Sequence, residues 1–209
     1  MEKKIIINVG RQLGSGGYDI AKALAEIFNC KLYDKEILNL AAKESGFSEK
    51  FFEENDEQKE FMKTHFHINI PILGNNDFYN NNFSQEGLYK FQSDAILHIT
   101  ETNPRCVFVG RTADYILRNN KNAVNIFITA DIEERIANVA KRMNISSQEA
   151  KKFIDNKEYE RSKYYNYYTG KTWGKAESYH LTVNATLLGQ ENATKLIADF
   201  VNIFLSKNK

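Results

Sequence analysis

The chain has 209 residues, 42% of them hydrophobic and 26% charged, with a formal net charge of +1. That length suits one domain with room for a small insert, and so balanced a charge offers no global field to draw in nucleic acid. No apolar run approaches the roughly 18 residues of a membrane span, and the run after Met1-Glu2-Lys3-Lys4 is too short and interrupted for a signal peptide. These features lead us to expect a cytoplasmic protein without nucleic-acid or membrane partners, and they leave homo-oligomerisation open. Cys30 and Cys106 sit in apolar contexts beside predicted strands and read as buried free thiols of a reducing compartment.

In chain order, Ile5-Ile6-Ile7-Asn8-Val9 reads as a buried strand that stops at Gly10-Arg11-Gln12-Leu13-Gly14-Ser15-Gly16-Gly17. Ile20, Ala21, Leu24, Ile27 and Phe28 then recur at helical spacing. Cys30 to Tyr33 makes a short second strand, after which Asp34 is placed to cap a helix from Ile37 to about Lys43. Residues from 47 to about 85, with Pro71 and an Asn-rich tract, read as an insert of helical pieces and loops. Leu88, Phe91, Ala95, Ile96 and Ile99 mark an amphipathic helix that Pro104 breaks. Cys106 to Val109 is a third strand, leading into Gly110-Arg111-Thr112-Ala113-Asp114 and a short helix.

Ala123 to Thr129 is a fourth strand. Asp131 with Glu134, and Ser146 with Glu149, have capping-box spacing at the starts of two helices. The second of these helices is long and polar, and four tyrosines (Tyr164, Tyr165, Tyr167, Tyr168) follow it. His180 to Asn184 is a fifth strand, and Gly189 precedes a final helix. Short apolar strands alternating with helices predict an α/β fold: a three-layer α/β/α sandwich around a five-stranded parallel sheet. Ligands in such sheets lie at the carboxyl ends of the strands, where the glycine loop, Arg111 and the loop after Thr129 all fall.

The candidate chemistry starts with Gly14, Ser15, Gly16 and Gly17. Successive N–H groups with little side-chain bulk, at a helix N-terminus, suit a phosphate. The lysine and Ser/Thr that end the GxxxxGK[ST] motif are missing, and Arg11, read as part of the loop, is a candidate replacement for the lost charge. Asp34 is a helix cap or a hydrogen-bond acceptor for a substrate. Arg111 suits bidentate phosphate recognition, with Asp114 placed to orient it or to hold a cation through water. Arg135 and Arg142 share one helix face, and Lys157 and Arg161 are an i,i+4 pair. Basic residues on a closing flap would stabilise the charge of a transferring phosphoryl group. The tyrosine cluster suits packing more than stacking on a base. The four histidines show no triad or metal spacing.

Five stretches together resemble the cytidylate kinase-like family: GRQLGSGGYDIAKALA (10–25), LYDKEIL (32–38), VFVGRTADYIL (107–117), IFITADIEERI (126–136), and the region from DNKEYERSKYYNYYTGKTWG (155–174) to YHLTVNATLLG (179–189). The resemblance implies a single P-loop kinase-like domain, with an acceptor-binding insert at about 47–85 and a lid at about 144–175. It implies ATP with Mg²⁺ as donor and a nucleoside monophosphate, CMP or dCMP by analogy, as acceptor. It maps donor phosphates onto Gly14 to Gly17, the acceptor side onto Arg111 and Asp114, and the lid cations onto Lys157 and Arg161, with Arg142 just before. Gly17 stands where true cytidylate kinases carry their lysine, and Tyr18-Asp19 where a Ser/Thr metal ligand is expected. Two alternatives therefore stay open: a nucleotide-binding regulatory protein without efficient transfer, and a kinase for a non-nucleotide metabolite.

Overall fold

A computed structural model describes residues 4–34 and 85–207. The predicted 37–43 helix, His65, His67, and the insert up to residue 84 lie outside the described residues. In order, the elements are β1 (Ile5–Arg11), α1 (Gly17–Ile27), β2 (Lys31–Tyr33), α2 (Gln85–Thr102), β3 (Arg105–Val109), α3 (Ala113–Ile116), β4 (Ala123–Thr129), α4 (Ile132–Met143), α5 (Ser147–Thr169), a 3₁₀ turn (Ala176–Ser178), β5 (Leu181–Asn184) and α6 (Ala185–Lys207).

All strand pairs are parallel, in the order β2-β3-β1-β4-β5. The apolar β1 is central and buried on both faces, as a parallel strand covered by helices must be. Ile5, Ile7 and Val9 join Val107, Val109, Ile126 and Ile128 under α1 and α6. Ile6 faces the other way, with Cys106, Phe108, Tyr33 and the Ala95, Ile96 and Ile99 stripe of α2. Ile6 and Ile7 are fully buried, a gain of roughly 1.5–3 kcal/mol each over an exposed position. Asn8 shares the Ile6 side and donates its amide to Asn125 of β4 at 2.8 Å, which pins the two strands in register. A third cluster lies apart from these: Leu13 of the glycine loop packs with Val139 of α4 and with Ala150 and Ile154 of α5. The α4–α5 pair thus rests on the loop itself.

Two local readings need correction. Arg11 is the last residue of β1, not part of the loop: pairing with β4 runs on to Arg11 and Ile128, and Gln12 N–H still reaches Ile128 O at 3.0 Å. The Asp131–Glu134 capping box does not form, because the Asp131 carboxylate accepts from Asn184 Nδ2 at 2.9 Å instead. As expected, Gly189 (φ 69°, ψ 158°) precedes the final helical stretch; a short helical turn from Ala185 runs up to it, and α6 comprises both. The Ser146–Glu149 capping box is present in full, and Gly170 closes α5 in the left-handed region. Cys30 and Cys106 are free thiols. Burial raises both, Cys30 to about 11 and Cys106 to about 12, which keeps them protonated and unreactive.

Candidate functional site

The glycine loop is built by its neighbours as much as by its own sequence. Gln12 Oε1 accepts from Ala130 N–H at 3.2 Å, so the loop is tied to the end of β4. Asn138 of α4 donates to Gly14 O at 2.9 Å. Glu158 of α5 accepts from Leu13 N–H at 3.0 Å and pairs with the buried Arg135 guanidinium of α4. Ser15 Oγ donates to Gln12 O at 2.9 Å and receives Gly17 N–H at 3.4 Å. Gly14 (φ 83°) is needed as glycine, since a Cβ there would lie 2.6 Å from Arg135 O. Gly16 (φ 74°) caps α1 in the left-handed region. The loop thus stands at a helix N-terminus, an arrangement that suits phosphate. Glu158, Asn138 and Gln12 were missed by the sequence reading. Glu158 lies one turn before Arg161, but its partner Leu13 is 145 residues away.

The cations that the sequence scattered meet beside this loop. Asp34, just past β2, lies 3.9 Å from Arg11 at the end of β1 and 3.6 Å from Arg111 after β3. Arg161 of α5 feels all three charges: Arg11 and Arg111 push its pKa down while Asp34 and Glu158 lift it. Burial is the largest influence on each guanidinium. It lowers Arg11, lowers Arg111 to about 10 and lowers Arg161 to about 9. Among the described residues, four guanidinium groups, those of Arg11, Arg111, Arg161 and Arg135, face two carboxylates, Asp34 and Glu158, a local excess of positive charge.

The Arg111 turn is strained. Gly110, Arg111 and Thr112 have φ of 73°, 62° and 52° in succession. Each non-glycine residue in that region costs on the order of 1–2 kcal/mol, and Thr112 is β-branched. Thr112 Oγ1 and Gln92 Nε2 both donate to Arg111 O, at 2.6 Å and 3.0 Å. A side chain at Gly110 would collide with the Arg11 guanidinium. Strain held this way by surrounding contacts is characteristic of working sites.

Asp114 does not reach Arg111's guanidinium by any described contact. It is buried and accepts from Tyr165 OH at 2.6 Å, joining α3 to α5. Burial raises its pKa, opposed by the Tyr165 hydrogen bond. Because the folded-state pKa is raised, the folded form binds the proton more readily than the unfolded one. This group's contribution to stability therefore falls as pH rises through the folded pKa. Tyr165→Phe removes the opposing hydrogen bond. We expect a loss of about 1–3 kcal/mol at neutral pH and a smaller deficit in acid, read from thermal melts between pH 4 and 8; a deficit independent of pH would count against this assignment.

Two predicted lid cations lie differently. Lys157 Nζ pairs with Glu160 at 2.8 Å. Arg142 is exposed in the last turn of α4, without a described contact to the arginine group. The tyrosines pack among themselves and on α2: Tyr168 stacks on Tyr89 with centroids 4.0 Å apart, and Tyr164 lies 4.8 Å from Tyr168.

The cytidylate kinase-like family matches residues 6–187. The chain belongs to that family. A comparison with curated proteins finds no match. Among solved structures, an uncharacterized protein from Eubacterium ventriosum is similar at 24% identity and a TM-score of 0.71, covering 95% of this chain and 99% of that one. Shikimate kinase from Bacteroides thetaiotaomicron is similar at 11% identity and a TM-score of 0.53, covering 96% and 99%. At these identities the likeness is one of fold, and it agrees with the five-stranded parallel sheet described above. Among the described residues no helix is long and apolar enough to cross a membrane.

Proposed function

We propose that this chain transfers the γ-phosphoryl group of ATP to a small phosphorylated acceptor, a nucleoside monophosphate in the first instance and CMP or dCMP by family resemblance. Membership of a kinase-like family supports a phosphotransferase of small substrates. One observation carries the finer reading: Arg11, Arg111 and Arg161 converge around Asp34 at the carboxyl ends of the strands, beside a preformed glycine loop. The excess charge calls for a dianion, and a phosphomonoester supplies one.

In this reading the N–H groups of Gly14 to Gly17 hold the donor phosphates. Arg111 and Arg11 hold the acceptor phosphate, with Asp34 fixing the orientation of both guanidinium groups. Arg161 spans the two phosphates from α5 and stabilises charge on the transferring group. The acceptor is already a nucleophilic phosphate oxygen, so no general base is required. Asp114 serves the acceptor side by holding α3 against α5. Lys157 and Arg142 supply the outer charge of the lid. Mg²⁺ would neutralise charge between the donor phosphates. The chain offers it little, since among the described residues no three His, Cys, Asp or Glu groups gather, so the ion would be held chiefly by ATP oxygens and water, as Mg²⁺ usually is.

The deciding experiment is a coupled ADP-release assay across the nucleoside monophosphates, with thermal melting to register binding. Turnover with at least one acceptor, lost in Arg111→Ala, is expected. No turnover and no melting shift with any of them would sink the proposal. Glycine at the lysine position and Tyr18 at the hydroxyl position favour a second reading, a nucleotide-binding regulator. Its mark would be a melting shift with ATP, unaffected by any acceptor and without ADP.

A further inference from the structure

One carboxylate joins the glycine loop to both helices of the α4–α5 pair. Glu158 Oε1 accepts from Leu13 N–H at 3.0 Å and, on the same oxygen, from Arg135 Nη1 of α4. Arg135 is 5% exposed, and among the described residues no other carboxylate pairs with it. Leu13 is buried as well, its side chain packed on Val139 of α4 and on Ala150 and Ile154 of α5. A buried N–H left without an acceptor is costly, so the residue that leads into Gly14 is seated by α5. The charge of Glu158 also reaches Arg161, three residues further along the same helix, and holds its pKa up against burial and the neighbouring guanidinium groups.

An ion pair that only stapled α4 to α5 would need no contact with the loop. Here the oxygen that holds Arg135 also holds the loop backbone, one helical turn from Arg161. We propose that Glu158 is a positioning residue for phosphoryl transfer: by seating Leu13 it fixes the glycine loop relative to Arg161, so that the loop and this cation meet the transferring phosphate in register. This rests on the transferase reading above. The acceptor phosphate, on Arg111 and Arg11, lies outside this linkage. Loss of the Glu158 oxygen therefore slows transfer without weakening acceptor binding. A misplacement of about 1 Å between reacting groups costs up to about 100-fold in rate.

Removing Glu158 alone would leave Arg135 a buried unpaired cation and destabilise the α4–α5 pair for reasons unrelated to the loop. The test therefore compares two double variants of the whole chain, both without the ion pair. Arg135→Met with Glu158→Gln keeps an oxygen for Leu13 N–H; Arg135→Met with Glu158→Met keeps the bulk and offers no oxygen. Rates are measured over ATP and acceptor concentration, with whichever nucleoside monophosphate the wild type turns over, and folding is followed by thermal melting. The first variant should stay within about threefold of the wild-type kcat. The second should fall about 10- to 100-fold below it, with the acceptor KM within about threefold of wild type in both. Equal kcat values in the two variants overturn the assignment, and so does a loss that falls on the acceptor KM instead. Either outcome leaves the transferase reading standing. Should the second variant fail to fold, Glu158→Gln alone decides, because it keeps an oxygen for both donors. A kcat within about threefold of wild type upholds the assignment, and a loss of about tenfold or more at an unchanged melting temperature overturns it. No turnover by the wild type with any monophosphate sinks both inferences together.

Discussion

Replacing Arg161 by methionine is expected to raise the melting temperature of the ligand-free protein while weakening phosphomonoester binding or turnover by about 10²- to 10³-fold. The two effects have one cause. Arg161 is half-buried beside Arg11 and Arg111, and its Nη1 has no hydrogen-bond partner. Its pKa, brought down to about 9, shows that folding penalises the charge. Removing a half-buried cation that is in excess among the described residues, rather than one half of a balanced pair, relieves desolvation and repulsion; a gain on the order of 1 kcal/mol is reasonable. The sign also fixes the pH dependence. A depressed arginine pKa lowers stability in full below about 9, and the penalty is relieved gradually as pH rises from there towards the ordinary arginine value of 12.5. The variant's advantage should therefore shrink in alkaline solution. Thermal melts from pH 7 to 10, with and without inorganic phosphate, test both halves: phosphate should stabilise the wild type by mass action and the variant much less. A variant that melts lower without ligand, yet responds fully to phosphate, would show Arg161 to be structural.

The sheet was legible because its signals are local. Continuous apolar runs such as Ile5–Val9 and Ala123–Thr129 state two-sided burial directly, and glycine, proline and capping residues punctuate them. The site was legible as a roster but not as an arrangement. Arg11, Arg111, Arg161 and Asp34 each stood out, yet nothing in their spacing says that one carboxylate serves two guanidinium groups, because that depends on β1 lying between β3 and β4. Asp114 was read as orienting Arg111 or holding a cation through water; its hydrogen bond to Tyr165, 51 residues later, was not legible. Gln92 carried a signal that went unused. It lies on the helical stripe of Leu88, Ala95, Ile96 and Ile99, and a polar residue on an apolar stripe must find partners once buried. Glu158 had no such mark, since one carboxylate on a polar helix looks solvated until the helix is docked.

The structure also changes the meaning of the missing lysine. Setting Gly16-Gly17 on the last glycine and lysine of GxxxxGK puts Arg11 at the motif's first glycine. The two departures are one exchange: a cation where glycine belongs, and glycine where the cation belongs. They are also in contact. A Cβ at position 17 would sit 2.5 Å from Arg11 Cβ, 3.1 Å from Arg11 Cγ and 3.2 Å from Ile128 Cβ. Backbone-rooted atoms such as these cannot rotate aside, so Gly17→Lys alone should cost about 1–3 kcal/mol through overpacking and impair ATP binding. Arg11→Gly alone should lose acceptor affinity, since that guanidinium turns toward Asp34 and not over the loop. The double variant Arg11→Gly with Gly17→Lys restores the motif and the space together. Its melting temperature and ATP affinity should both exceed those of Gly17→Lys, with a coupling of about 1–2 kcal/mol, although acceptor affinity stays low. Strictly additive effects would mean that positions 11 and 17 vary independently. Coupling would show that the loop has not lost its cation but moved it one strand end away, to the acceptor side of the cleft.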